Sequence, residues 1–269
     1  MANIKFSVIN GSTVLPDSQV ERAVGALQTQ VRRDYAPVWG TDADLIFVPT
    51  GQNPEPGSWW LTVLDNSDQA GALGYHDVTS EGLPLGKVFA KTDMIYGLQW
   101  TVTASHELLE MLGDPDINLT AFVQPDPDAA TGLLYAYEVC DACENDQFGY
   151  DIDGSLVSDF VYPAWFESFR QPGSTQFDYQ KKISKPFELL PGGYIGVFDV
   201  TAGNGWQQII APEKPGTRGR PVGSEVRPHI GSRRERRRIL RSHWIRSRPI
   251  EAIHENTRRF REYPPGRRG

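Results

Sequence analysis

The chain has 269 residues, 39% of them hydrophobic and 11% aromatic, enough for a packed core. Its net charge of −7 hides a split: residues 1–212 carry ten basic and 28 acidic side chains, a net of −18, whereas residues 213–269 carry 17 and six, a net of +11. No window approaches the roughly 18–20 apolar residues of a membrane helix, and the first residues form too short an apolar run for a secretory leader. The expectation is therefore a cytoplasmic protein that does not enter a membrane.

Ile4, Phe6 and Val8 alternate with polar neighbours and predict a first strand ending at Asn10-Gly11. A helix follows, in which Ser18 and Glu21 have capping-box spacing and Val20, Val24, Leu27, Val31 and Tyr35 recur on one face. Residues 45–48 and 59–64 predict two further strands. Residues 72–78 and 87–91 predict two more, separated by a turn-rich segment. A second helix is expected from about Gln99 to Leu112, stopped by Gly113 and Pro115. Beyond it the pattern loosens. Asp153-Gly154 is a hairpin signal between residues 150–152 and 156–158, and residues 194–200 and 206–210 predict a late hairpin. There is no internal repeat. The expected class is α+β, with an N-terminal subdomain over residues 1–116, a small β-containing subdomain over 117–212 that completes a site, and a basic, largely flexible tail over 213–269.

The second helix carries the chemistry. At 100° per residue, Trp100, Ala104, Leu108, Met111 and Leu112 share one side. Thr103, His106, Glu107, Glu110 and Asp114 crowd into an opposite arc. His106 and Glu110 are one turn apart and can reach a common point. Two side chains from successive turns can grip one metal ion, and a neighbouring carboxylate, Glu107, can take a proton from its water.

This H-E-L-L-E run resembles the H-E-x-x-H of zincin metallopeptidases, and the strand order before it resembles that superfamily as well. The resemblance implies a zincin-like peptidase fold and a divalent ion, zinc or another, held by His106 and Glu110. It makes Glu107 the general base that later protonates the leaving amine, and residues 72–78 the edge strand that binds a peptide or protein substrate. His76, in that strand, would then hydrogen-bond substrate or stabilise an oxyanion.

Two features depart from the superfamily's pattern. Glu110 replaces the second histidine, which leaves the ion's water less acidic and tilts selectivity towards manganese, magnesium or calcium. The third ligand also stays open. Glu138 fits a gluzincin-like arrangement, with Asp141 supporting it from behind. Asp116 fits the extended metzincin signature through Gly113, but that group's methionine turn is missing, the only methionines being Met1, Met94 and Met111. A catalytically inactive zincin-fold structural or binding protein within a larger assembly, a pseudoenzyme, is the alternative reading.

Other features are weaker. Cys140 and Cys143 are too close to staple a fold and read as partly buried thiols, with redox or metal roles as alternatives. The acidic stretch from Asp141 to Asp159 suits calcium by composition, yet Asp153-Gly154 is explained by a turn without any ion. Residues 212–231 read as a linker. The arginine run at 233–238 leads into a short segment with Ile239, Leu240, Trp244 and Ile245, which could bind nucleic acid or another polyanion, or dock on the chain's own acidic body.

Overall fold

Phe6, Ser7 and Val8 are all buried, so the first strand is covered on both faces and belongs in the middle of a sheet rather than at its surface. The computed structural model describes residues 4–69, 72–124, 130–202 and 205–212, and the backbone of 229–232. Strand β1 (Ile4–Asn10) leads into α1 (Asp17–Thr29), a π-helical turn over Gln30–Tyr35, and α2 (Ala36–Trp39). There follow β2 (Ala43–Val48), β3 (Trp59–Leu64), β4 (Ala72–Val78), β5 (Pro84–Phe89), α3 (Ala90–Ile95) and α4 (Trp100–Gly113). The later part holds β6 (Thr120–Val123), β7 (Leu133–Ala136), β8 (Tyr150–Ile152), β9 (Ser155–Val157), β10 (Tyr194–Asp199), β11 (Trp206–Ile210) and β12 (His229–Ser232).

The main sheet runs β12-β4-β5-β3-β1-β2. Strands β2, β1, β3 and β5 are mutually parallel, and the helical connection from β1 to β2 is what a parallel pair requires. Strand β4 reverses direction against β5, and β12 lies parallel to β4. The class is thus α+β with a mixed sheet. A second, antiparallel sheet runs β11-β10-β7-β6, and β8 and β9 form a separate hairpin. At its turn Asp153 and Gly154 both have positive φ, 51° and 81°, as a tight two-residue hairpin demands. Among the described residues, no helix is long and apolar enough to cross a membrane.

Three expectations are corrected. Ser18 does not cap α1; Pro16 occupies that position with no side-chain bond. The entry turn is instead tied by Asn10, whose Nδ2 donates to Leu15 O and Asp17 Oδ1, and by Thr50, which donates to the same carboxylate; the bond from Asn10 and then those from Thr50 hold the Asp17 pKa below its ordinary value. Residues 87–91 are not one strand: β5 ends at Phe89 and α3 begins at Ala90. Val88, Phe89 and Ala90 are all buried, so the apolar run is continuous across the boundary and hides it. Finally, the stretch read as linker contains β12. An edge strand pairs through its backbone, so a short segment can join it without an alternating side-chain pattern of its own.

Candidate metal centre

Helix α4 lies between the main sheet and the later part of the chain, and every residue from Trp100 to Leu112 is buried. Its apolar side faces the sheet: a Cβ built on Gly86 of β5 would stand 3.0 Å from Met111 Cε. An ordinary amphipathic helix would leave its carboxylates in water. Here His106 and Glu107 are 0% exposed and Glu110 is 1% exposed. Burying a carboxylate costs several kcal/mol unless a cation or hydrogen-bond donors face it, so the polar arc must meet compensating groups.

Those groups converge from three elements. Glu107 Oε2 is 2.8 Å from His76 Nδ1, which reaches across from β4. Glu110 Oε2 is 3.6 Å from the same nitrogen, and Glu138 Oε2 is 3.7 Å from the other, His76 Nε2. On the far side of Glu110, Oε1 lies 3.1 Å from His106 Nε2, and Asp141 Oδ1 lies 3.3 Å from that nitrogen. Neither ring nitrogen of His106 makes a hydrogen bond, although the residue is wholly buried. Two sets of donor atoms are close enough to surround an ion: His76, Glu107 and Glu110, and His106, Glu110 and Asp141, each within 4.8 Å of one another. Imidazole nitrogen and carboxylate oxygen are donors that zinc accepts, and the excess of carboxylate also suits manganese or magnesium. The residues present therefore fit a divalent cation.

The backbone is shaped to allow this approach. A Cβ on Gly74 would lie 2.6 Å from Thr103 Cγ2 and 3.0 Å from Glu107 Oε1, so only glycine lets β4 come this near to α4. Gly193, beside β10, would place a Cβ 2.3 Å from Ala142 O, which holds the Asp141–Cys143 turn against the second sheet. Cys140 N donates to Glu110 Oε1 at 3.3 Å. Behind the helix, Ser105 Oγ donates to Gln30 Oε1 and accepts from Ser158 N, while Gln30 Nε2 donates to Ser158 O. Gln30 opens the π-helical turn, a feature frequent at functional sites because the extra residue re-aims side chains.

The sequence-predicted residues are thus partly assembled. His106, Glu107 and Glu110 come together with Asp141 and, through His76, with Glu138. Asp116 is exposed past the end of α4 and belongs to neither donor set. His76, expected to meet substrate, is instead buried against Glu107. Its signal was its place in the strand expected to border the site; the signal for Asp141 was its position three residues after Glu138. Cys140 and Cys143 are unpaired by any disulfide and wholly buried, and burial pushes both thiols well above their ordinary pKa, which disfavours the reactive thiolate. The acidic stretch does not assemble as a calcium site. Asp146 accepts from Gln99 N at the start of α4, Asp151 from Gly154 N in the β8–β9 turn, and Asp159 from Phe160 N and Gln180 N. No three of Glu144, Asp146, Asp151, Asp153 and Asp159 come together among the described residues. The arginine run and the apolar segment after it lie outside the described residues.

Comparison with protein-family models, with curated proteins and with solved structures finds no match to this chain.

Proposed function

We propose that this chain is a divergent zincin-like, metal-dependent hydrolase acting on peptide bonds. The observation that carries the reading is the buried donor set of His106, Glu110 and Asp141 on and beside α4, with Glu107 on the next residue of the same helix. The strand order supports it: of the five sheet strands that precede α4, four are mutually parallel and β4, on the site's side, runs against them, as in that superfamily. In this reading Asp141 takes the place expected for Glu138 or Asp116.

A bound divalent ion would polarise the scissile carbonyl and make a nearby water more acidic. Glu107 accepts a proton from that water as it attacks and passes it to the departing amine nitrogen. His76, 2.8 Å from Glu107 Oε2, fixes which way that carboxylate points. Helix and strand both hold Glu107 rigidly, which is what accurate proton transfer needs.

One observation favours a second reading. The six polar groups are at most 3% exposed, and β12 already pairs along the outer edge of β4, with Ser232 opposite His76. A substrate strand has no open edge there in this arrangement. A protein that keeps the metal centre for structural or binding purposes, without turnover, would look the same.

Metal analysis of the full chain, with peptide-library or casein turnover for wild type against Glu107→Gln, separates the two. Bound metal with turnover that disappears in Glu107→Gln is the expected result. Bound metal with no turnover in either chain establishes the second reading, and a chain that takes up no metal removes both.

A further inference from the structure

We propose that the centre holds two divalent cations side by side, with Glu110 as the carboxylate that bridges them. The proposal rests on the reading that this cluster binds metal at all, and goes beyond the single ion that reading requires.

The geometry of Glu110 is the starting point. Its two oxygens face different imidazoles: Oε1 is 3.1 Å from His106 Nε2 and Oε2 is 3.6 Å from His76 Nδ1. Each oxygen therefore belongs to its own set of donors, His106 and Asp141 on one side and His76 and Glu107 on the other. Two donors that share one zinc ion at about 2.0–2.2 Å cannot be more than about 4.4 Å apart, and calcium-length bonds stretch that only slightly. Both sets fall within 4.8 Å, inside the span of about 5.2 Å that the longest calcium bonds allow, and a zinc-sized ion would draw them in by a few tenths of an ångström. Paired ions about 3.5–4 Å apart, joined by a shared oxygen ligand, are a recurrent hydrolytic arrangement.

Second, both imidazoles are presented as ligands are. His106 is wholly buried and makes no hydrogen bond at either ring nitrogen, while Nε2 is aimed between Glu110 and Asp141. His76 turns Nδ1 towards Glu107 and Glu110 and Nε2 towards Glu138, 3.7 Å away. Without an ion, Nδ1 and Glu107 Oε2 share a proton across 2.8 Å; a cation bound between them would take that proton's place and leave the imidazole N–H on the side of Glu138.

Third, the charges balance for two ions. Glu107, Glu110, Glu138 and Asp141 together carry four negative charges when ionised, and two neutral imidazoles add none. Two divalent cations match the cluster's own charge, whereas one leaves half of it to be met from elsewhere.

The test titrates metal-stripped full-length chain with manganese(II), following stoichiometry by equilibrium dialysis and spin coupling by electron paramagnetic resonance. Two ions per wild-type chain, with the single-ion six-line spectrum replaced by an exchange-coupled one, is the expected result. His76→Gln, which keeps an amide beside Glu107, should then bind one ion with an uncoupled spectrum, and Asp141→Asn should do the same from the other side. One ion per wild-type chain, unchanged in His76→Gln, overturns the two-ion proposal while leaving the single-ion reading intact. No ion in wild type overturns both. The wild-type stoichiometry needs no variant, so misfolding of a mutant does not obscure the answer.

Discussion

Two clusters of buried carboxylates among the described residues meet different partners. Behind the π-helical turn, Asp34 receives Arg33, the Tyr150 hydroxyl and the Tyr179 hydroxyl, with the bonds at 2.7–2.9 Å. Nearby, Asp178 accepts from Lys182 N and Ile183 N, and Asp159 from Phe160 N and Gln180 N. These are ordinary donors supplied by neighbouring backbone and side chains, and they knit the later part of the chain to the helical one. Around α4, by contrast, the carboxylates of Glu107, Glu110, Glu138 and Asp141 face two imidazoles. An imidazole is a donor only on the nitrogen that carries a proton; its other nitrogen offers a lone pair, as a carboxylate does. The first region ties the chain together; the second gathers groups that could hold a metal ion.

That contrast can be broken at either end. The largest effect belongs to Glu110→Gln, which removes the charge shared by both donor sets while keeping the side chain's shape. Loss of a group merely behind a ligand costs 10–100-fold in metal affinity, so loss of this one should cost at least about 100-fold, measured by calorimetric titration, with the circular dichroism spectrum retained. Unchanged affinity would mean the ion sits elsewhere.

Asp34→Ala should do the reverse. It strips two half-buried tyrosine hydroxyls of their acceptor, and bonds to a charged group are worth about 1.5–3 kcal/mol each. The half-exposed Arg33 adds little. A loss of roughly 3 kcal/mol in denaturant unfolding is expected, with metal affinity unaffected. If metal binding falls as well, the two regions are not independent.

A third effect depends on pH. Burial, with Asp178 beside it, pushes the Asp159 carboxyl from 3.8 up to about 9. The folded chain keeps this proton where the unfolded chain has released it. The stabilisation is therefore full below about pH 4 and is lost progressively as pH rises towards about 9. Asp159→Asn presents the same acceptor to Phe160 N and Gln180 N without a proton to lose. Its melting temperature should exceed that of wild type at pH 8 and converge with it at pH 4, by about 2–4 °C for each kcal/mol recovered. Parallel pH profiles for the two chains would contradict the assignment.

The sequence made some of this legible and not the rest, for physical reasons. His106, Glu107 and Glu110 are neighbours on one helix, so spacing alone places them together; the bounds of β3 and β4 and the Asp153-Gly154 turn were legible on the same local grounds. His76 and Asp141 enter the centre only because β4 packs on α4 and because a glycine at 74 and another at 193 let the backbones close in. No periodicity encodes that. The polar arc of α4 looks like a solvated face in sequence because burial under a later segment leaves no local mark. The short strands β6 and β7 escaped for a related reason: they have four residues each, β6 pairs with β7, and β7 in turn pairs with β10, about sixty residues further on.

The most direct measurement is anomalous diffraction from crystals of the full chain grown with zinc or manganese, with data collected on both sides of the metal's absorption edge. The account requires a peak bounded by His106 Nε2, Glu110 Oε1 and Asp141 Oδ1 at about 2.0–2.2 Å, the bond length expected for zinc. Clear density for those three side chains with no peak among them, while cations occupy other positions on the protein, would contradict it.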